Sequence, residues 1–325
     1  MRSTLSVRVL ILAGFVTGSA VASAQEGASP EGAAEFEVPR TPWGDPDLQG
    51  VWDYRTITPL QRSRELGDRA FYTDEEVAEL EGRAAERMDE VPEEISAGLV
   101  HAQYATDPGR YVDESGRTSL IVDPPNGRIP PLTPEAEARQ AANRGQGFGR
   151  GADSYLDRTL MERCITQGFP RSIMPTLYNN NIEIVQGPGH VAIIHEMIHE
   201  TRIVPLDGSD FTGLRGWVGE SRGYWDGDTL VVETRNFNDQ VSYQGAGENL
   251  RVTERFTRAA PDRIAFSMTL EDETHWAQPW TVAYSMRPTD GDLYEYACHE
   301  GNYGLANILE NARDAERAEA EAGGN

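Results

Sequence analysis

His195, Glu196 and His199 stand in the order His-Glu-Met-Ile-His. On a helix that spacing puts both imidazoles on one face, where they bind zinc while the glutamate activates a water. The flanking residues argue against a helix. Val191, Ile193, Ile194, Ile198, Ile203 and Val204 are β-branched, Gly187-Pro188-Gly189 precedes them, Pro205 closes the run and no N-cap stands before His195. Such a run favours extended backbone, so the expected element is a β-hairpin turning through Gly-Pro-Gly. On a strand His195, Met197 and His199 share one face and Glu196, Ile198 and Glu200 the other, which separates the base from its metal. Metal binding by His195, His199 and His299 stays as an alternative, with a transition metal the one cofactor considered; otherwise none is expected.

Gly219-Glu220-Ser221-Arg222-Gly223 matches the pattern of a serine nucleophile elbow, but that turn needs a helix after the serine, and here a strand follows. Asp226-Gly227-Asp228 and Asp290-Gly291-Asp292 resemble calcium loops without the later glutamate, and read as hairpin turns. The remaining signal is the number of charged residues inside strand-like runs: Glu196, His199, Glu200, Arg202, Glu233, Glu254 and Arg255, with His299 after the last run. Each taken singly is expected on a solvated face. Together they can floor a pocket walled by Trp217, Trp225, Trp276, Trp280, Tyr294 and Tyr296, with Tyr178 and Asn180 as further ligand contacts. The first functional expectation is an exported enzyme performing hydrolysis, elimination or isomerisation on a small neutral or apolar molecule. Glu196, His199, Glu233, Glu254 and His299 would act as acid or base, and Arg202 would stabilise an oxyanion. A non-catalytic, lipocalin-like binding protein is the alternative.

Those residues must be positioned by a fold. From Tyr178 onward eight or nine strands alternate with turns, which suggests a lipocalin-like, up-and-down antiparallel β-barrel over 178–301, with an open sandwich as the rival. Residues 41–177 carry a capping box at Thr73 to Glu76, a Thr133-Pro134 helix start and many prolines, and read as a wrap lacking its own core. Residues 302–325 read as a helix with an acidic tail, and 25–40 as a disordered leader.

Residues 1–24 have two arginines, an apolar run from Val9 to Val16 and Ala22-Ser23-Ala24, the pattern of a signal peptide cleaved after Ala24. The protein is therefore expected in the periplasm or secreted. Removing Arg2 and Arg8 takes the formal charge from -24 to -26, which repels nucleic acid and anionic membranes. All 29 basic residues are arginine, so Schiff-base, pyridoxal phosphate, P-loop lysine and Ser-Lys chemistry are excluded. Cys164 and Cys298 are expected to pair in an oxidising compartment, joining first and last barrel strands with about 5 kcal/mol of chain-entropy stabilisation. The alternative is a reactive Cys298 beside His299.

TPWGDPDLQG, RTSLIVDPPNGRIPPLTP, YNNN, EMIH followed by RIVPLDG, SRGYWDGDTLVVET and YEYACHEGNYG are similar to segments of a group of exported proteins of environmental bacteria. The likeness covers most of the mature chain. It implies one unit and export, and brings no activity, cofactor or active-site assignment.

Overall fold

The computed structural model describes residues 36–89, 107, 109–142, 151–240 and 243–323. The segment expected to be a signal peptide and most of the expected leader lie outside them. Ten strands form: β1 (Gly50–Asp53), β2 (Ile121–Asp123), β3 (Asn181–Gly187), β4 (His190–His195), β5 (Thr201–Pro205), β6 (Glu220–Asp226), β7 (Thr229–Arg235), β8 (Arg251–Ala260), β9 (Arg263–Glu271) and β10 (Trp280–Pro288). Nine of them run antiparallel in the order β5-β4-β3-β1-β10-β9-β8-β7-β6 and curl into a nearly closed barrel; β2 pairs with β10 off this path. Among the described residues the α-helices are α1 (Asp74–Asp89), α2 (Pro134–Ala142) and α3 (Tyr303–Gly323).

The expected caps are in place. The Thr73 hydroxyl accepts from the Glu76 amide at 3.3 Å and the Glu76 carboxylate accepts from the Thr73 amide at 2.9 Å, satisfying two orphan groups of α1. Alternation then sets the barrel's inner face. Ile182, Ile184, Val191, Ile193, Val204, Leu230, Val232, Phe256, Phe266, Met268 and Val282 are buried in one core, while Val185 and Ile203 lie outside.

The barrel does not begin at residue 178. β1, from the segment expected to be wrap, enters between β3 and β10, with Trp52 opposite Ile182 on one side and Pro288 on the other. Trp52 anchors it, being 1% exposed with its indole donating to the Leu48 carbonyl at 2.9 Å. β10 is thereby flanked by β1 and β9, which leaves no edge for the run from Leu293 to Glu300. That run falls inside the stretch 178–301 expected to form the barrel, and is instead irregular with a turn at its end.

Closure falls between β5 and β6, whose edges approach without a backbone ladder. The contact requires glycine: a Cβ on Gly223 would meet Val204 Cγ1 at 2.7 Å and Leu206 Cδ2 at 2.8 Å. Cys164 and Cys298 are disulfide-bonded with Cα atoms 5.6 Å apart. The pairing is as expected but its role differs, because β1 separates β3 from β10 and Cys298 lies on no strand. The bond fastens the segment before α3 to the loop carrying Cys164.

Candidate functional site

The His-Glu-Met-Ile-His run is neither helix nor continuous strand. β4 ends at His195, Met197–His199 form a 3-10 turn with Ile198 and His199 at φ of 55° and 42°, and β5 starts at Thr201. The kink keeps His195 and Arg202 on the inner face and places His199 outside.

Inside the barrel Arg202 donates to both oxygens of the Glu254 carboxylate on β8, at 2.6 and 2.8 Å, with both side chains sealed from solvent. Its Nε lies 3.4 Å from His195 Nε2, and Nη1, which makes the 2.6 Å bond to Glu254, also lies 3.5 Å from the Thr234 hydroxyl, which shares a 2.8 Å hydrogen bond with Ser221 Oγ. The Phe169 ring covers the guanidinium at 3.8 Å. Phe169 belongs to a loop that plugs this interior. The Ser172 carbonyl accepts from the Tyr54 hydroxyl at 2.9 Å and lies 3.0 Å from His195 Nδ1, and the Ile173 carbonyl accepts from Tyr284.

The Ser172 carbonyl can only accept, so His195 carries its hydrogen on Nδ1 and turns the Nε2 lone pair toward Arg202. Burial, and then the Arg202 charge, hold the His195 pKa down at about 3 against the opposing bond to Ser172. The unfolded imidazole takes up a proton near its ordinary value of about 6.5, well before the folded one does. Stability is therefore full above the unfolded value and falls as pH drops from it toward the folded value, by about 1.4 kcal/mol per pH unit from this residue. Thermal melts between those limits are expected to show a shallower acid slope for His195→Asn than for the native chain. Parallel slopes would remove His195 as the cause.

The other nominated residues do not converge. Glu196 is half-buried at the turn and accepts from the Asn181 side chain at 2.8 Å. His199 is exposed with Nδ1 3.3 Å from the Tyr296 carbonyl, and His299 is exposed in the segment before α3. Glu233 sits on the outer side of β7, paired with Arg235 at 2.7 Å. Of the six residues nominated for catalysis, Arg202 and Glu254 alone meet. The histidine set His195, His199 and His299 is split between interior and surface, and no group of three or more His, Cys, Asp or Glu that can hold a metal occurs among the described residues. Ser221 is buried on β6, with β7 following through the Asp226-Gly227 hairpin rather than a helix.

Of the expected aromatic walls, Tyr294 is 82% exposed, and the tryptophans are packing. Trp280 is wholly buried, stacked on Tyr243 at 6.3 Å and edge-on to Trp276 at 5.4 Å. Trp217 and Trp225 are partly buried against the core. Asn180 accepts from the Thr176 amide at 2.7 Å and donates back to the Thr176 carbonyl at 3.0 Å, which braces a turn. Tyr178 and Tyr296 are half-buried neighbours, and burial followed by Tyr178 raises the Tyr296 phenol's pKa.

The accessible spaces lie elsewhere. A cleft of about 460 Å³ is bordered by Asp53, Arg55, Asp107, Asp113, Glu114 and Arg287, and one of about 560 Å³ by Arg215, Arg235, Glu248, Glu271 and Asp272. In both, carboxylates and arginines are mixed. A third, of about 530 Å³, runs between the stretch after β1 and the stretch after the plug. Ile57, Pro59, Leu60, Leu120, Met174 and Leu177 wall it, and its charged residues are Arg87 and Arg171. Sequence reasoning missed this groove because its walls come from four separated stretches, none of which carries a local chemical pattern. No family model matches the chain, and a search of curated proteins finds no similar one.

Proposed function

We propose that this chain is an exported binding protein for a small, largely apolar molecule, held in the groove walled by Ile57, Leu60, Leu120, Met174 and Leu177. The observation that carries this reading is the groove itself, about 530 Å³ with predominantly apolar walls, within the range of roughly 300–1,000 Å³ usual for ligand sites. Acid-base catalysis has less support. A general base needs a lone pair within reach of substrate, whereas Glu254 commits both oxygens to Arg202 inside the plugged barrel. Export rests on the amino-terminal arginines, apolar run and Ala-Ser-Ala site. The Cys164–Cys298 bond fits an oxidising compartment. Among the described residues no helix is long and apolar enough to cross a membrane.

The test is titration of the mature chain with the neutral fluorophore N-phenyl-1-naphthylamine. Saturable one-to-one binding is expected, weakened about tenfold by Leu177→Asp through loss of apolar contact and unchanged by Val185→Asp on the barrel's outer face. Leu177 is 59% exposed, so the substitution disturbs the wall and not the core. Absence of saturable binding, or equal affinity in Leu177→Asp, removes the reading.

A further inference from the structure

The groove is the exception to the molecule's charge pattern. The chain has 53 acidic residues against 29 arginines, and the other two clefts described each bring at least three carboxylates to their walls. Among the described residues, the lining of the apolar groove contains none. Its two charged residues are both arginines supplied by separate elements: Arg87 by α1 and Arg171 by the 3-10 turn of the plug. Both are exposed. Neither Arg171 nor Arg87 makes an ion pair among the described residues, and Arg87 donates to the Arg83 carbonyl of its own helix at 3.3 Å.

An arginine beside an apolar wall is suited to a bidentate, charge-assisted bond with a planar anion, a geometry that a neutral hydroxyl cannot match. In a protein this acidic, long-range repulsion acts against anions generally. A local arginine pair, with no carboxylate among the described residues lining the groove, is what overcomes that repulsion, and it does so only for a molecule whose apolar part also fits the walls. We infer that the ligand of this groove is an amphipathic acid, an apolar body carrying a carboxylate, with the body against Leu60, Met174 and Leu177 and the carboxylate bound by Arg171 and Arg87. The inference rests on the groove being the binding site.

Displacement of N-phenyl-1-naphthylamine by decanoate and by 1-decanol separates the two claims, since these probes share a chain and differ in the charge of the head. In the native protein decanoate is expected to displace the fluorophore at about one-tenth the concentration that decanol requires, consistent with a charge-assisted bond. Arg171→Gln and Arg87→Gln are each expected to weaken decanoate several-fold and to leave decanol and the fluorophore unchanged. Raising ionic strength is expected to narrow the difference, because the pair is solvent-exposed. If the fluorophore binds and is lost in Leu177→Asp, yet decanol displaces it as well as decanoate does, the groove stands and the acid is overturned. The acid is also overturned if neither arginine substitution changes the decanoate value. If the fluorophore does not bind at all, the groove reading falls and takes this inference with it.

Discussion

Glu254→Gln is expected to lower the stability of the folded chain by about 3–5 kcal/mol, the cost of leaving a buried charge without its partner. Arg202 is 2% exposed and Glu254 is fully buried, joined by two short bonds under the Phe169 ring. The pair also spans the place where the barrel lacks a backbone ladder. Arg202 belongs to β5 at one edge and Glu254 to β8 behind β6 and β7, so the ion pair reaches across the seam from inside. The neutral amide is expected to expose that role in two measurements. Urea denaturation reports the global loss, and hydrogen exchange should quicken first at β5 and β6. The double variant Arg202→Met/Glu254→Leu, which removes both charges and keeps apolar bulk, is expected to recover most of the stability. A Glu254→Gln chain within about 1 kcal/mol of the native one would mean that the barrel closes by packing and that the pair is incidental.

Replacing both cysteines by alanine has the second largest expected effect. The bond spans 134 residues, for which chain entropy alone predicts about 5 kcal/mol. The structure divides that effect. Cys298 lies in an irregular segment held otherwise by contacts such as Asn302 donating to the Glu162 carbonyl at 3.3 Å and Arg313 donating to the Asp153 carbonyl at 2.8 Å. This periphery can detach before the barrel unfolds. The double Cys→Ala variant is thus expected to show early exchange over residues 289–323 together with a lower melting temperature. An exchange pattern in that segment equal to the native one, with the whole loss appearing in the barrel, would assign the bond to the core instead.

What residue types and spacing determined here is local or pairwise. The Gly-Pro-Gly hairpin, the Asp226-Gly227 turn, the Thr73 capping box, the strand run from β6 to β10 and the single possible cysteine pair all follow from turn chemistry, alternation and the presence of two cysteines. Tertiary structure alone decided three matters. β1 is four residues among turn formers, too short to carry a periodic signal, and becomes a barrel strand because β3 and β10 offer it two edges. The turn inside the His-Glu-Met-Ile-His run puts Ile198 at positive φ, against the preference of a β-branched residue, because β4 and β5 must pair back on each other. Finally, Thr-Arg-Ile-Val-Pro alternates equally well with either face inward. Arg202 rather than Ile203 enters the core because Glu254, 52 residues away, supplies the compensating charge. Alternation fixes which residues share a face, whereas the face that is buried depends on partners the local sequence does not contain.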